Sequence, residues 1–276
     1  MRDSIDGAFH FHSTYSHDGK NTLSEIASTL SEAGLSFCVM TEHFEDLDEE
    51  SLASYVREVS EINRKTGFVL IPGVEVHLSG VDTIVFPVNE YQQVIRLNSE
   101  KGLGEPLFMV MAHPSKYPPD LLARHLERYP INGIEMWNQQ ADGGRIPPFG
   151  LLEFLGKQPS RNQKLYFFGC DLHSTRLTVA NVLSLQKQTS LTVDAIVNEL
   201  RRGEFISRNR PTGVEFHNGS LRKDFDAWLL AIRRKSYARG KLLQRIRQPL
   251  RSLYRSLPRN AQHALNDFKN FVRNKV

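Results

Sequence analysis

Five apolar runs of strand length in this chain end on a histidine or a carboxylate. "AFHFHS" closes on His10 and His12, "SFCVMTEH" on His43, "FVLIPGVEV" on Glu75, "LFMVMAHP" on His113, and "LYFFGCDLHS" on Asp171 and His173. Patterns of helical spacing alternate with them. "TLSEIASTLSEAG" ends at Gly34, and "DEESLASYVREVSEINRKTG" has acids in its first turn and Gly67 at its close. "EYQQVIRLNSEKG", "PDLLARHLERYP", "PFGLLEFLGK" and "TVDAIVNELRRG" follow, with further strands at "DTIVFPV", "INGIEMWN", "VANVLSLQ" and "EFISRNR". This alternation predicts an α/β fold with a mainly parallel, barrel-like sheet. In a closed βα barrel the carboxyl ends of the strands converge on one face, where sites are built. The polar residues at the strand ends are therefore expected to meet.

Their chemistry is that of metal ligands. His10 and His12 are two apart, so on a strand both point to the same side, and Asp171 and His173 repeat that spacing. Nitrogen and oxygen donors without thiolates suit zinc, manganese or iron better than magnesium alone or an iron–sulfur cluster. The donors are too many for one tetrahedral ion, so two to three divalent metal ions are expected, with Glu75 placed to bridge two of them. A lone histidine on a strand is usually a hydrogen-bonded core residue, and an isolated HxH is weak evidence. Here the ordered series carries the reading.

The 276 residues suffice for one large α/β domain or two smaller ones. No apolar run approaches the about 20 residues of a membrane-spanning helix, and "MRDSIDGAF" lacks the pattern of a signal peptide. Cys38 and Cys170, the only cysteines, form no CxxC pair, which fits a reduced, cytoplasmic setting. Charge is uneven along the chain. Residues 1–220 hold 20 Lys+Arg against 28 Asp+Glu, whereas residues 221–276 hold 15 against 3. An acidic body of 1–220 and a basic tail of 221–276 are expected.

The motifs "HFHSTYSHDG", "TEH", "PGVE", "AHP" and "GCDLHS" resemble, in order and spacing, those of the polymerase-and-histidinol-phosphatase (PHP) superfamily of metallophosphoesterases. The resemblance covers residues 7 to about 215 and implies a distorted (β/α)7 barrel carrying up to three metals, here with a basic helical C-terminal extension. It implies that His10, His12, Glu75 and Asp171 hold the first metal. Glu75 would bridge to the second, also bound by His113, and Asp18, His43 and His173 would hold the third. His17 is read as loop, its alternative being proton donation to a leaving group at the site rim. The reaction so implied is metal-assisted phosphoester hydrolysis, in which a water shared by two metals attacks phosphorus in line. Glu75, His173 and a phosphate clamp at Arg176 are the expected catalytic residues, with Arg208 or Arg210 as other clamps. The substrate is a phosphorylated small molecule or nucleotide.

The chain departs from the family at several positions. Ala8–Phe9 stand where an Asp usually precedes the HxH, and Glu42 replaces the Asp of TDH, from where it is placed to orient a ligand histidine. Asp82 occupies the position of a usual histidine ligand. It is preferred over His77 for the second metal because it likewise begins the next strand. Glu135 and Asn138 are read as supporting residues, Gly143–Gly144 as an adjustable loop, and Phe11, Tyr15 and Trp137 as packing rather than base-stacking groups. Amidohydrolases also open with HxH, but their lysine ligand is missing. A nuclease branch carries a long insertion before AHP, where only residues 76–112 lie here. A non-catalytic metal-binding scaffold and a 5'-3' exonuclease-like enzyme remain as alternatives.

In the tail, Phe225, Trp228, Leu229 and Ile232 have helical spacing, and Leu242 to Leu257 continue it amid arginines 233, 234, 245, 247, 251 and 255. This reads as a basic amphipathic helical extension. It would pack on the barrel or on another subunit, or meet an anionic membrane surface or nucleic acid.

Overall fold

A computed structural model describes residues 4–98, 107–143, 146–158, 163–176, 178–186, 190–219 and 225–234. The order is β1 Ser4–Phe11, α1 Leu23–Glu32, β2 Phe37–Met40, β3 Glu42–His43, α2 Glu49–Lys65, β4 Val69–Ile71, β5 Val74–Leu78, β6 Val81–Phe86 and α3 Tyr91–Ile95. Then come β7 Phe108–Met111, α4 Pro119–Arg128, β8 Gly133–Asn138, α5 Gln139–Asp142, α6 Phe149–Gly156, β9 Leu165–Gly169, β10 Asn181–Gln186, α7 Val193–Arg202, β11 Phe205–Asn209 and β12 Val214–His217. The helix starts follow from local chemistry. Thr22 and Glu25 close a capping box on α1, and Asp48 and Ser51 do so on α2, each cap contributing about 1 kcal/mol.

Two six-stranded sheets form, in the orders β12-β11-β10-β1-β2-β4 and β3-β5-β6-β7-β8-β9. They are less parallel than the sequence pattern suggested. β1 runs parallel to β2 but antiparallel to β10, and β6 is antiparallel to both β5 and β7. The cause at β6 is a two-residue connection. Ser79 (φ 49) and Gly80 (φ 90) form a hairpin turn, and a parallel crossover needs a dozen residues or more. The helix expected from residue 90 onward is α3 followed by a tighter turn at Arg96–Asn98.

The two faces of β1 bury different layers. Ala8 and Phe11 join Leu23, Ile26, Met40, Tyr55 and Leu172 in one cluster, shared with α1 and α2. Phe9 joins Val39, Ile84, Phe86, Phe108 and Phe167, drawn from both sheets. Its ring stacks on Phe167 at 4.7 Å, forming an aromatic floor beside the residues that follow in sequence. Cys38 and Cys170 are free and buried, and burial pushes the Cys170 thiol up to about 12. Among the described residues no helix is long and apolar enough to cross a membrane.

The chain divides into two units, Met1–Phe225 and Asp226–Val276. Within the first unit Phe225 is buried and lies 5.5 Å from the Tyr166 ring. In the second, residues 226–234 are helical with Trp228, Leu229 and Ile232 buried and Arg233 and Arg234 exposed. The pattern expected at Leu242 to Leu257 and the arginines from 245 onward lie outside the described residues.

Candidate metal centre

His10 is a ligand candidate because β1 breaks its register there. Pairing with β2 shifts between Phe9 and Phe11, and the extra residue, His10, takes φ 70. β1 ends at Phe11, so His12 lies just beyond it. Simple strand alternation therefore does not bring the two rings together; a bulge does, with ring centres 5.2 Å apart. Asp171 and His113 also have positive φ, 54° and 24°, the latter directly before Pro114. Among the described residues three of the four non-glycine residues with positive φ belong to this cluster, which is where backbone strain is tolerated for function.

The donor atoms face one another. His10 Nε2 lies 3.5 Å from both Glu75 Oε2 and Asp171 Oδ1, and His12 Nε2 lies 3.6 Å from the same two atoms. Ligands bound at about 2.1 Å around a tetrahedral ion stand roughly 3.4 Å apart, so these spacings suit a shared cation better than direct hydrogen bonds. Both Nε2 atoms are buried without a hydrogen-bond partner. Glu75 Oε1 faces His113 Nε2 at 2.8 Å, and Glu75 Oε2 lies 3.3 Å from His43 Nδ1. Outward from these, Asp18 reaches His43 Nε2 at 3.4 Å and His173 Nε2 at 3.1 Å. Ligand-like groups result at His10–Glu75–His113, His10–His12–Asp171 and His12–His43–His173, the first two fully buried.

Charge reinforces this. Burial alone would lower the His10 imidazole, but the carboxylates of Glu135, Asp171 and Glu75 outweigh it and hold it well above its ordinary value. Burial would raise Glu75, yet His10, His113 and His43 keep it well below the carboxylate range. Burial lowers His12 to about 4 and leaves its lone pair available. Against its own burial, Glu75 and Asp18 raise His43 to about 9. A buried acidic pocket demands positive charge, and a divalent ion competes with protons for the same atoms.

A supporting layer orients the donors. His10 Nδ1–H donates to Glu135 Oε1 at 3.0 Å, leaving Nε2 as the ligand atom. The His113 backbone N–H and the Asn138 amide donate to Glu135 Oε2 at 2.6 and 2.9 Å. The supporting role read for Glu135 and Asn138 thus has specific partners. Glu42 accepts from the Ser13 hydroxyl and from the Ser16 hydroxyl, each at 2.7 Å, and Ser16 Oγ lies 3.4 Å from His12 Nδ1. Glu42 therefore reaches a histidine through a serine that the sequence reading had passed over.

These residues fall within a segment, 8–142, that matches the family model described as the PHP domain. The chain carries a PHP domain. A "Probable histidinol-phosphatase" of Thermotoga maritima is 29% identical over 120 residues, which is 43% of this chain and 46% of that protein. The match thus spans less than half of that relative's length. PsfC from Pseudomonas syringae PB-5123 aligns with a TM-score of 0.48 at 12% identity, covering 84% of this chain and 99% of PsfC. A Bifidobacterium adolescentis protein, provisionally classed as a metal-dependent phosphoesterase, aligns at 0.47 and 14% identity, covering 71% and 96%. Asp171 and His173 lie beyond the matched segment, yet the fold brings both to the PHP domain's donor cluster.

Other expected residues fall around this centre. Asp82 Oδ2 lies 3.7 Å from His113 Nε2, while Asp82 Oδ1 pairs with exposed His77 Nδ1 at 2.7 Å and Tyr117 donates to the carboxylate. Arg176 is exposed, and among the described residues no ion pair joins it to a site carboxylate. Arg208 pairs with Glu215 at 2.6 Å across β11 and β12, and Arg210 with Asp6 at 3.3 Å, near the start of β1. Both arginines are paired with carboxylates that lie outside the donor cluster. The sequence reading missed Lys116, whose Nζ lies 3.8 Å from Asp171 Oδ2. Its only signal was its place three residues after His113. Phe11 and Trp137 are buried, and the Tyr15 hydroxyl donates to Glu58 at 2.9 Å, in keeping with packing.

Proposed function

We propose that this PHP domain is a metal-dependent phosphoesterase, hydrolysing a phosphomonoester or phosphodiester at a centre of two to three divalent ions. The observation that carries this is the convergence of two buried, unpartnered imidazole nitrogens on the Glu75 and Asp171 carboxylates. Zinc, manganese or iron bound there would supply Lewis acidity and an activated water. His10, His12, Glu75 and Asp171 would hold one ion, Glu75 and His113 with Asp82 a second, and Asp18, His43 and His173 a third. Asp82 is preferred to His77 because its carboxylate, steadied by Tyr117 and His77, faces His113. Lys116, half exposed beside Asp171, is placed to draw the substrate's anionic oxygens to the centre, a role first assigned to Arg176.

We also read the two sheets as one distorted (β/α)7 barrel. Its support is that Cys170 N–H donates to Phe9 O at 2.8 Å and His12 N–H to Leu172 O at 2.9 Å, so the chain after β9 runs along β1. The relative named as a histidinol-phosphatase is in keeping with a phosphorylated small molecule as substrate. The basic stretch after residue 220 carries no part of this reading.

The test is a screen of phosphomonoesters, cyclic diesters and short oligonucleotides with added manganese. Chelator-sensitive release of phosphate or nucleotide is the expected result. Metal uptake without turnover of any of them would make the domain a metal-binding scaffold instead.

A further inference from the structure

His17 stands in the loop between His12 and α1, next to a ligand candidate but two-thirds exposed, with a side-chain accessibility of 66%. An exposed histidine is ordinarily free to swing. This one is held twice by a single atom, because Asp46 Oδ2 accepts the His17 backbone N–H at 2.9 Å and its ring Nδ1–H at 2.8 Å. The ring also lies over that of His43, with centres 5.5 Å apart and planes 30° from parallel. With Nδ1 occupied, Nε2 keeps its lone pair, the arrangement of a carboxylate–histidine pair behind a metal. Donor atoms of His17, Asp18 and His43 all lie within 4.8 Å of one another, and Asp18 is already 3.4 Å from His43 Nε2.

We propose that His17 is a ligand of the outermost cation, with Asp46 holding its ring from behind. This revises the reading of His17 as plain loop and deepens the metal centre on which it rests. The chemistry is borderline, two imidazoles and a carboxylate, and suits zinc, cobalt or manganese. Because His17 and Asp18 are exposed whereas the His10–His12–Asp171 and His10–Glu75–His113 groups are buried, the outermost ion is the one that exchanges with solvent.

The test uses the full-length chain, stripped of metal and titrated with Co²⁺ under its visible absorption, then with Zn²⁺ against a competing chelator. In wild type a tight class and a weaker class of ion should appear. His17→Ala should weaken the weaker class at least ~10-fold and change its cobalt spectrum, leaving the tight class as it was. Asp46→Asn should act in the same direction, within the roughly 10–100-fold range of such partners. Both variants should keep wild-type circular dichroism, since both side chains lie at the surface. An unchanged weak class in His17→Ala, or loss of the tight class with it, would overturn the assignment alone. A wild-type chain that takes up no metal would overturn the metal centre as well.

Discussion

Glu135 reaches His10 across 125 residues of sequence, its Oε1 3.0 Å from the ring Nδ1, through space that residue 169 leaves by being glycine. A Cβ at Gly169 would lie 1.5 Å from that same carboxylate oxygen. Glu135→Gln should therefore keep the fold and lower the affinity for the tightest-bound metal by roughly 10–100-fold. Gly169→Ala should do the same while also costing stability, since the carboxylate must move within a packed interior. Competition with a chelator measures the first effect and urea unfolding the second.

Asp171 separates ligand loss from backbone strain. Its φ of 54° suits asparagine better than alanine. Asp171→Asn and Asp171→Ala should both fall in metal content by elemental analysis, as should His10→Ala. In metal-free protein, however, the alanine variant should be about 1 kcal/mol less stable than the asparagine one. Equal stabilities would mean that the strain is not there.

Removing metal should itself destabilise the fold. An ion present at 100 times its dissociation constant contributes about 2.7 kcal/mol through its preference for the native state. Chelator should lower the melting temperature, and added manganese or zinc should restore it. A melting curve indifferent to both would count against the centre.

For Lys116→Ala we expect KM for a hydrolysed phosphomonoester to rise roughly 10-fold or more, with weaker inhibition by inorganic phosphate and unchanged metal content. The loss is that of one charge-assisted contact. Lys116→Arg should retain most of the wild-type behaviour. A kcat change with KM and phosphate inhibition unaltered would remove the anion-binding role.

His125 offers a pH signature apart from the donor cluster. Burial lowers its pKa to about 4, and its Nε2 lies 3.0 Å from Thr83 Oγ1. Between about pH 4 and 6.5 the unfolded chain holds a proton there that the native chain does not, so stability rises with pH across that window. It is fully present above 6.5 and lost as pH falls toward 4. The difference between the metal-free wild-type and His125→Gln stability curves should reach at most about 3 kcal/mol over this range. Parallel curves would show that the fold does not lower the His125 pKa.

The residue types of the centre and their order were legible in the sequence, because strand and helix periodicities and the polar residues that end them belong to near neighbours in the chain. So was the pairing of donor chemistry with divalent ions, which depends on side-chain type alone. That the strand-end donors would meet was expected too, but strand direction and the contacts that reach the centre from elsewhere were not. β6 runs antiparallel because a two-residue turn precedes it, and His10 turns inward because β1 slips against β2. His17 meets Asp46 across 29 residues, and Lys116 meets Asp171 from another part of the chain. Such contacts are set by strand register and by what else fills the space, which no local pattern encodes, and only the tertiary structure decided them.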